Sequence, residues 1–195
     1  HFHITDGTDG SEIGVGLPFI AVAKKACDAH TTAHLCCERP ELLIQQCVKA
    51  GAQTIVLPTE KPVHLHRALT QIREAGLQAG LALNPATPLT RLEYVLSSID
   101  RLFLLAKEPC QKGAINLRSL TDRIKILSEN IAYLRLHLEL IVDGLADTRS
   151  IALAAEAGAT RFVLGPDSEL FDGKKDYAQA LEKVRSAVAK SRNLV

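Results

Sequence analysis

The sequence has no methionine, even at position 1, and no tryptophan among its 195 residues. A reading frame opens on Met, so the first residue is expected to lie downstream of the gene's first codon. Charge of one sign is scarce as well: 23 Lys and Arg against 22 Asp and Glu leave a net charge of +1. With no run of like charge, a nucleic-acid or anionic-membrane surface is disfavoured. Long apolar runs are missing too. The uncharged stretches at 13–23 and 75–90 are broken by Gly, Pro or Asn, and neither could span a bilayer. No basic-then-apolar leader opens the chain. The cysteines, Cys27, Cys36, Cys37, Cys47 and Cys110, are odd in number and include no C-x-x-C pair. That usage fits a reduced, cytoplasmic protein.

What is present is alternation. Short β-like runs at 1–5, 31–35, 53–57, 78–83, 101–106, 137–142 and 161–164 are separated by amphipathic stretches. Those fall at 17–28, 40–50, 64–75, 88–97, 117–130, 147–157 and 174–190. Pro40 and Pro88 stand where first helical turns begin, with Thr87 placed to cap the second. One punctuation recurs at Gly51, Gly76 and Gly158: a helix ends, glycine takes the left-handed position, and a strand starts two or three residues on. Residues 1–195 therefore read as a single domain of βα units around a parallel sheet, either a closed barrel or an open doubly wound sheet. A dinucleotide site is disfavoured, because Gly14-Val15-Gly16 lacks the third glycine of that fingerprint. Seven strands are one short of a (β/α)₈ barrel, so the missing unit is expected upstream of residue 1.

Function in such a barrel sits at the C-terminal ends of the strands. His1 and His3 are two apart on one strand and share a face, His34 ends the second strand, and Asp143 ends the sixth, followed by Gly144. Three imidazoles and a carboxylate are a donor set suited to Zn²⁺ and similar divalent ions. The residue types also allow a plainer reading, in which strand-end histidines are rim or core residues. His30, His64, His66 and His137 read as structural or solvent-facing. Cysteine catalysis is disfavoured, since adjacent Cys36 and Cys37 have no evident His–Asn pairing.

Taken in order, these residues resemble the ribulose-phosphate 3-epimerase family over essentially the whole chain, from that family's second strand onward. The family's H-x-D-x-M-D-G opening corresponds to His1-Phe2-His3-Ile4-Thr5-Asp6-Gly7, and its V-H-L-M to Ala33-His34-Leu35-Cys36. The E-x-P-E that follows is kept at Glu38–Glu41, A-L-N-P-x-T-P-L at Ala82–Leu89, and V-D-G at Val142-Asp143-Gly144. A-E-A-G-A and D-Y-A match Ala155–Ala159 and Asp176–Ala178. The resemblance implies a (β/α)₈ TIM barrel whose first βα unit is absent from this chain. It also implies a homo-oligomeric enzyme that inverts C3 of a ketopentose phosphate, with a divalent metal (Zn, or else Fe, Mn or Co) stabilising an enediolate.

Carried over residue by residue, the resemblance makes His1, His34 and Asp143 metal ligands and Asp143 an acid/base. His3 stands where the family has its second acid/base Asp, and it is expected to serve both as ligand and as proton carrier. His34, Gly113, Gly144 and Gly165 are implied to bind substrate. The phosphate grip departs most: N-P-G-F-G-G-Q is replaced by Glu108-Pro109-Cys110-Gln111-Lys112-Gly113-Ala114, and G-S by Gly165-Pro166, with Asp167 and Glu169 beyond. Phosphate binding wants free N–H groups and positive charge, which Lys112 supplies in part. The alternative reading is a non-catalytic or altered-specificity relative that binds a sugar phosphate or a protein partner.

Overall fold

The computed structural model describes residues 1–8, 14–108, 113–165, 168 and 176–192. Pro109, Cys110, Gln111, Lys112, Pro166, Asp167 and Glu169, which the sequence reading weighed as phosphate-loop residues, lie outside the described residues, as does the start of the stretch expected at 174–190. The strands follow one another in chain order in a single sheet. The chain divides into two compact units, one built on His1–Leu102 and the other on Phe103–Lys107 with Gly113–Val195.

The first unit runs β1 (Phe2–Thr5), α1 (Pro18–Ala26), β2 (Thr32–Cys36), α2 (Ile44–Ala50), β3 (Thr54–Pro58), α3 (Leu65–Glu74) and β4 (Gln78–Leu83). β1 pairs parallel to β2 with Phe2 opposite Ala33 and His3 opposite His34, and β2 pairs with β3, placing His34 opposite Val56. β3 and β4 pair from Thr54 opposite Gln78 to Pro58 opposite Ala82. Every residue of β2 and β3 is buried. A parallel sheet covered by helices hides both of its faces, so even the polar Thr32, His34 and Thr54 are buried. α3 buries Ala68, Leu69 and Ile72, one stripe at helical spacing.

One expected helix is not there. The stretch at 88–97 forms only two short 3₁₀ turns, Leu89–Leu92 and Leu96–Ser98. Thr87 does not cap it. Its hydroxyl donates instead to Glu60 Oε1, and the capping position falls on Pro88, which has no side chain able to accept. Without a cap, so short a stretch does not recover the cost of nucleating an α-helix. Leu92 and Leu96 are buried all the same, so packing is kept while the helix is lost. Pro40 likewise opens a 3₁₀ turn, Pro40–Leu43, that leads into α2.

β5 (Arg101–Leu105) straddles the boundary between the units. The second unit continues with α4 (Leu117–Tyr133), β6 (Glu139–Asp143), α5 (Thr148–Glu156), β7 (Arg161–Val163) and α6 (Tyr177–Arg192). Asn116 and Asp147 are working N-caps, accepting from the N–H groups of Ser119 at 3.1 Å and Ser150 at 2.8 Å. β6 and β7 pair in parallel, with Asp143 opposite Val163. The recurrent helix stops take the expected left-handed backbone, with φ of 88° at Gly51, 76° at Gly76 and 116° at Gly158. Gly158 is also crowded. A Cβ there would come 2.5 Å from Ser128 Cβ on α4, so only glycine lets α5 turn into β7 at this point.

Candidate metal centre

Side chains alternate between faces along extended backbone, so His1, just before β1, and His3 within it lie together. The parallel register then sets His3 opposite His34 on the neighbouring strand. The three rings face one another edge to face: centroids are 5.0 Å apart for His1 and His3, 5.5 Å for His1 and His34, and 4.9 Å for His3 and His34. Ligand nitrogens of these rings lie within 4.8 Å of one another. His34 is buried at 2% exposure, while His1 and His3 are exposed. The cluster thus has one buried ring and two exposed ones, a donor set able to hold a divalent ion.

Asp143 belongs to the second unit. It is the last residue of β6, 7% exposed, and its carbonyl accepts from the Ala106 N–H at 2.8 Å. Gly144 follows at φ 89°, a left-handed turn that carries the chain off the strand. Gly113 and Gly165 have open space where a Cβ would stand. The Gly165 carbonyl accepts from the Ser168 N–H at 3.0 Å. His30, read as structural, lies with Nε2 2.8 Å from Thr54 Oγ1, and His64, His66 and His137 are exposed.

The sequence reading gave no role to the acids that follow β1, β2 and β3. Asp6 accepts from the Thr8 hydroxyl at 2.5 Å, from the Thr8 N–H at 3.0 Å, and from the Glu38 N–H at 3.0 Å. The hydrogen bond from the Thr8 side chain, with those from the Glu38 and Thr8 backbone, holds its carboxyl down at about 2. Glu38 in turn pairs with Lys61 at 2.8 Å. Glu60 accepts from the Asn84 N–H at 3.2 Å as well as from Thr87, and Arg91 Nη2 donates to the Thr59 carbonyl at 3.1 Å. The four loops leaving β1 to β4 are therefore clasped one to the next. The signal available in sequence was an acid one or two residues beyond each of three strand ends.

Among the described residues no helix is long and apolar enough to cross a membrane. Comparison with solved structures shows the fold. The chain is similar to KGPDC from Streptococcus mutans (TM-score 0.70, 14% identity, 96% of this chain and 85% of that one). It is similar also to 3-keto-L-gulonate-6-phosphate decarboxylase from Vibrio cholerae (TM-score 0.67, 13% identity, 96% and 85%). With seven parallel strands alternating with helices, these likenesses place the fold in the (β/α)₈ TIM-barrel class. In sequence, the chain is 31% identical over 189 residues to the chloroplastic ribulose-5-phosphate-3-epimerase of Arabidopsis thaliana, covering 96% of this chain and 66% of that protein. It is 30% identical over 192 residues to ribulose-phosphate 3-epimerase of Escherichia coli strain K12, covering 97% of this chain and 84% of that one. With the Ribulose-phosphate 3 epimerase family matching residues 1–171, the chain belongs to that family.

Proposed function

We infer that the protein is a sugar-phosphate 3-epimerase, an isomerase that inverts C3 of a ketopentose phosphate by removing and returning the C3 proton. Family membership gives the reaction class. The observation that carries the reading to this chain's own residues is the cluster of His1, His3 and His34 on paired strands, in the positions where the family's motifs fall. We propose that these imidazoles and Asp143 hold one divalent ion, of which zinc fits the donors best. When bound, such an ion supplies a Lewis acid for the oxyanion that develops as C3 is deprotonated.

In this reading Asp143 takes the C3 proton on one face of the substrate, held in place by the short turn at Gly144. His3 handles the proton on the opposite face, since an imidazole can both accept and give a proton near neutral pH. Buried His34 fixes the wall against which the substrate's oxygens are placed. Gly113, Gly144 and Gly165 offer backbone close to the sugar phosphate, glycine admitting approach where a side chain would block it. The reading includes a homo-oligomer, which rests on the family resemblance. It also includes a reduced, cytoplasmic setting, which the thiols of Cys27, Cys36, Cys37 and Cys47 support.

The test is formation of the C3 epimer from D-ribulose 5-phosphate by purified, metal-loaded protein. Asp143→Asn keeps the shape of the side chain and removes the base, so the rate should fall by about 10²–10⁴-fold. A wild type that binds the sugar phosphate and forms no epimer would overturn the reading and leave a binding protein in its place.

A further inference from the structure

We propose that Tyr94 of one copy seats in the cavity at the start of α3 of a second copy, and that the two copies exchange this contact about a two-fold axis. The inference rests on the homo-oligomer named above and goes beyond it in assigning the surface and its anchor.

Both halves of the contact belong to the first unit. The knob is Tyr94, 84% exposed, with Leu92, Val95 and Leu96 buried on either side of it in the chain. Those neighbours hold the backbone down, so the ring is carried outward on an anchored segment. Arg91 Nη2 ties the same segment to the Thr59 carbonyl in the loop after β3, at 3.1 Å. The hollow is a surface cavity of about 470 Å³ lined by His64, Leu65, His66 and Arg67. α3, which carries most of that lining, packs against the turn Leu96–Ser98 that follows Tyr94. Val63, 75% exposed, precedes His64 and extends the apolar surface beside the hollow.

The chemistry of the two halves is complementary. A tyrosine brings a broad apolar face and a hydroxyl; a guanidinium is attracted to such a face, and imidazole nitrogens can bond the hydroxyl. Glu93, exposed beside Tyr94, is opposite in charge to exposed Arg67, and among the described residues neither takes part in an ion pair. Tyr and Arg are also the residue types that most often anchor interfaces. The chain does not fill its own hollow, since its Tyr94 stays in solvent. One chain bearing both knob and hollow is self-complementary, so a second copy supplies the missing half of each, and two-fold symmetry makes the contact twice.

Sedimentation of the purified chain over a range of concentrations tests this. Wild type should run as a dimer, at twice 21.1 kDa. Tyr94→Ala and Arg67→Glu, both at exposed positions, should each weaken the dimer by about 30-fold or more, as loss of an interface anchor does. An equimolar mixture of these two variants should associate more tightly than either alone, because an intact Tyr94 then meets an intact hollow once in each pair. Glu93→Arg added to Arg67→Glu in the same chain should recover association by restoring opposite charges. A monomeric wild type would overturn this inference and the homo-oligomer together. A dimer unmoved by either single substitution, or a mixture no tighter than its components, would overturn this inference and leave the homo-oligomer standing. Epimer formation plays no part in these readouts.

Discussion

Within the first unit, the side where strands end and the side where they begin are fastened by different chemistry. Where β1 to β4 end, the clasps are carboxylates: Asp6 to the loop after β2, Glu38 to Lys61 and Glu60 to the loop after β4. Where the strands begin, amides and hydroxyls dominate. Gln53 Oε1 accepts from the Thr31 N–H at 3.0 Å, and Thr54 Oγ1 donates to Gln78 Oε1 at 3.1 Å; Lys24 and Asp100 are the charged exceptions. The difference teaches where the fold accepts dependence on conditions. Charge-assisted bonds are stronger than neutral ones but respond to pH and salt, and in this unit they gather where the strands end.

The largest effect on stability is expected at the glycine stops that precede strands, Gly158 in the second unit and Gly76 in the first. Gly158→Ala forces a side chain into φ 116° and against Ser128, and should cost about 1–3 kcal/mol for the backbone strain alone, with the clash added. Gly76→Ala incurs only the strain, because nothing lies within 4 Å of its added Cβ. Denaturant midpoints of the two variants should separate clearly, with Gly158→Ala the lower. Equal midpoints would mean that α4 gives way and the close approach is unimportant.

On the other side, Glu60→Ala removes the acceptor of both the Asn84 N–H and the buried Thr87 hydroxyl. A loss of about 1–3 kcal/mol is expected, since a buried donor is left unsatisfied. Thermal melting checks this, and Thr87→Val in the same background should recover part of the loss by removing that donor.

The smallest effect concerns Asp6 and acid. Its folded carboxyl titrates at about 2 against an ordinary 3.8. A carboxyl depressed in the folded state contributes stability above its unfolded value, and that contribution is lost as pH falls through the folded one. The extra stability should therefore be complete above about pH 4 and fade between about pH 4 and pH 2. Because Asp6 is exposed, the effect is modest. Asp6→Asn should flatten the acid limb of the stability curve across that window and leave the neutral limb slightly lower.

Much of this arrangement was legible in the sequence. Short β-like runs alternating with amphipathic stretches carry the pattern of a helix-covered parallel sheet, so the strands are legible to within one or two residues. The glycine stops declared themselves because left-handed backbone strongly favours glycine. His1, His3 and His34 were legible as a set because strand alternation is a local rule that survives into the fold. What could not be read was competition between partners distant in the chain. Thr87 has the composition of a cap, and nothing within ten residues of it says that Glu60 will take its hydroxyl and leave 88–97 without an α-helix. The clasps at Asp6 and Glu38 were hidden for the same reason: each acid acts on a loop about twenty or more residues away.

Solvent-deuterium incorporation tests the central claim most directly. Metal-loaded protein incubated with D-ribulose 5-phosphate in D₂O should place deuterium at C3 of the recovered substrate and of its epimer, with Asp143→Asn reducing exchange by about 10²–10⁴-fold. Epimer formed without deuterium at C3, or exchange undiminished in Asp143→Asn, would contradict the account.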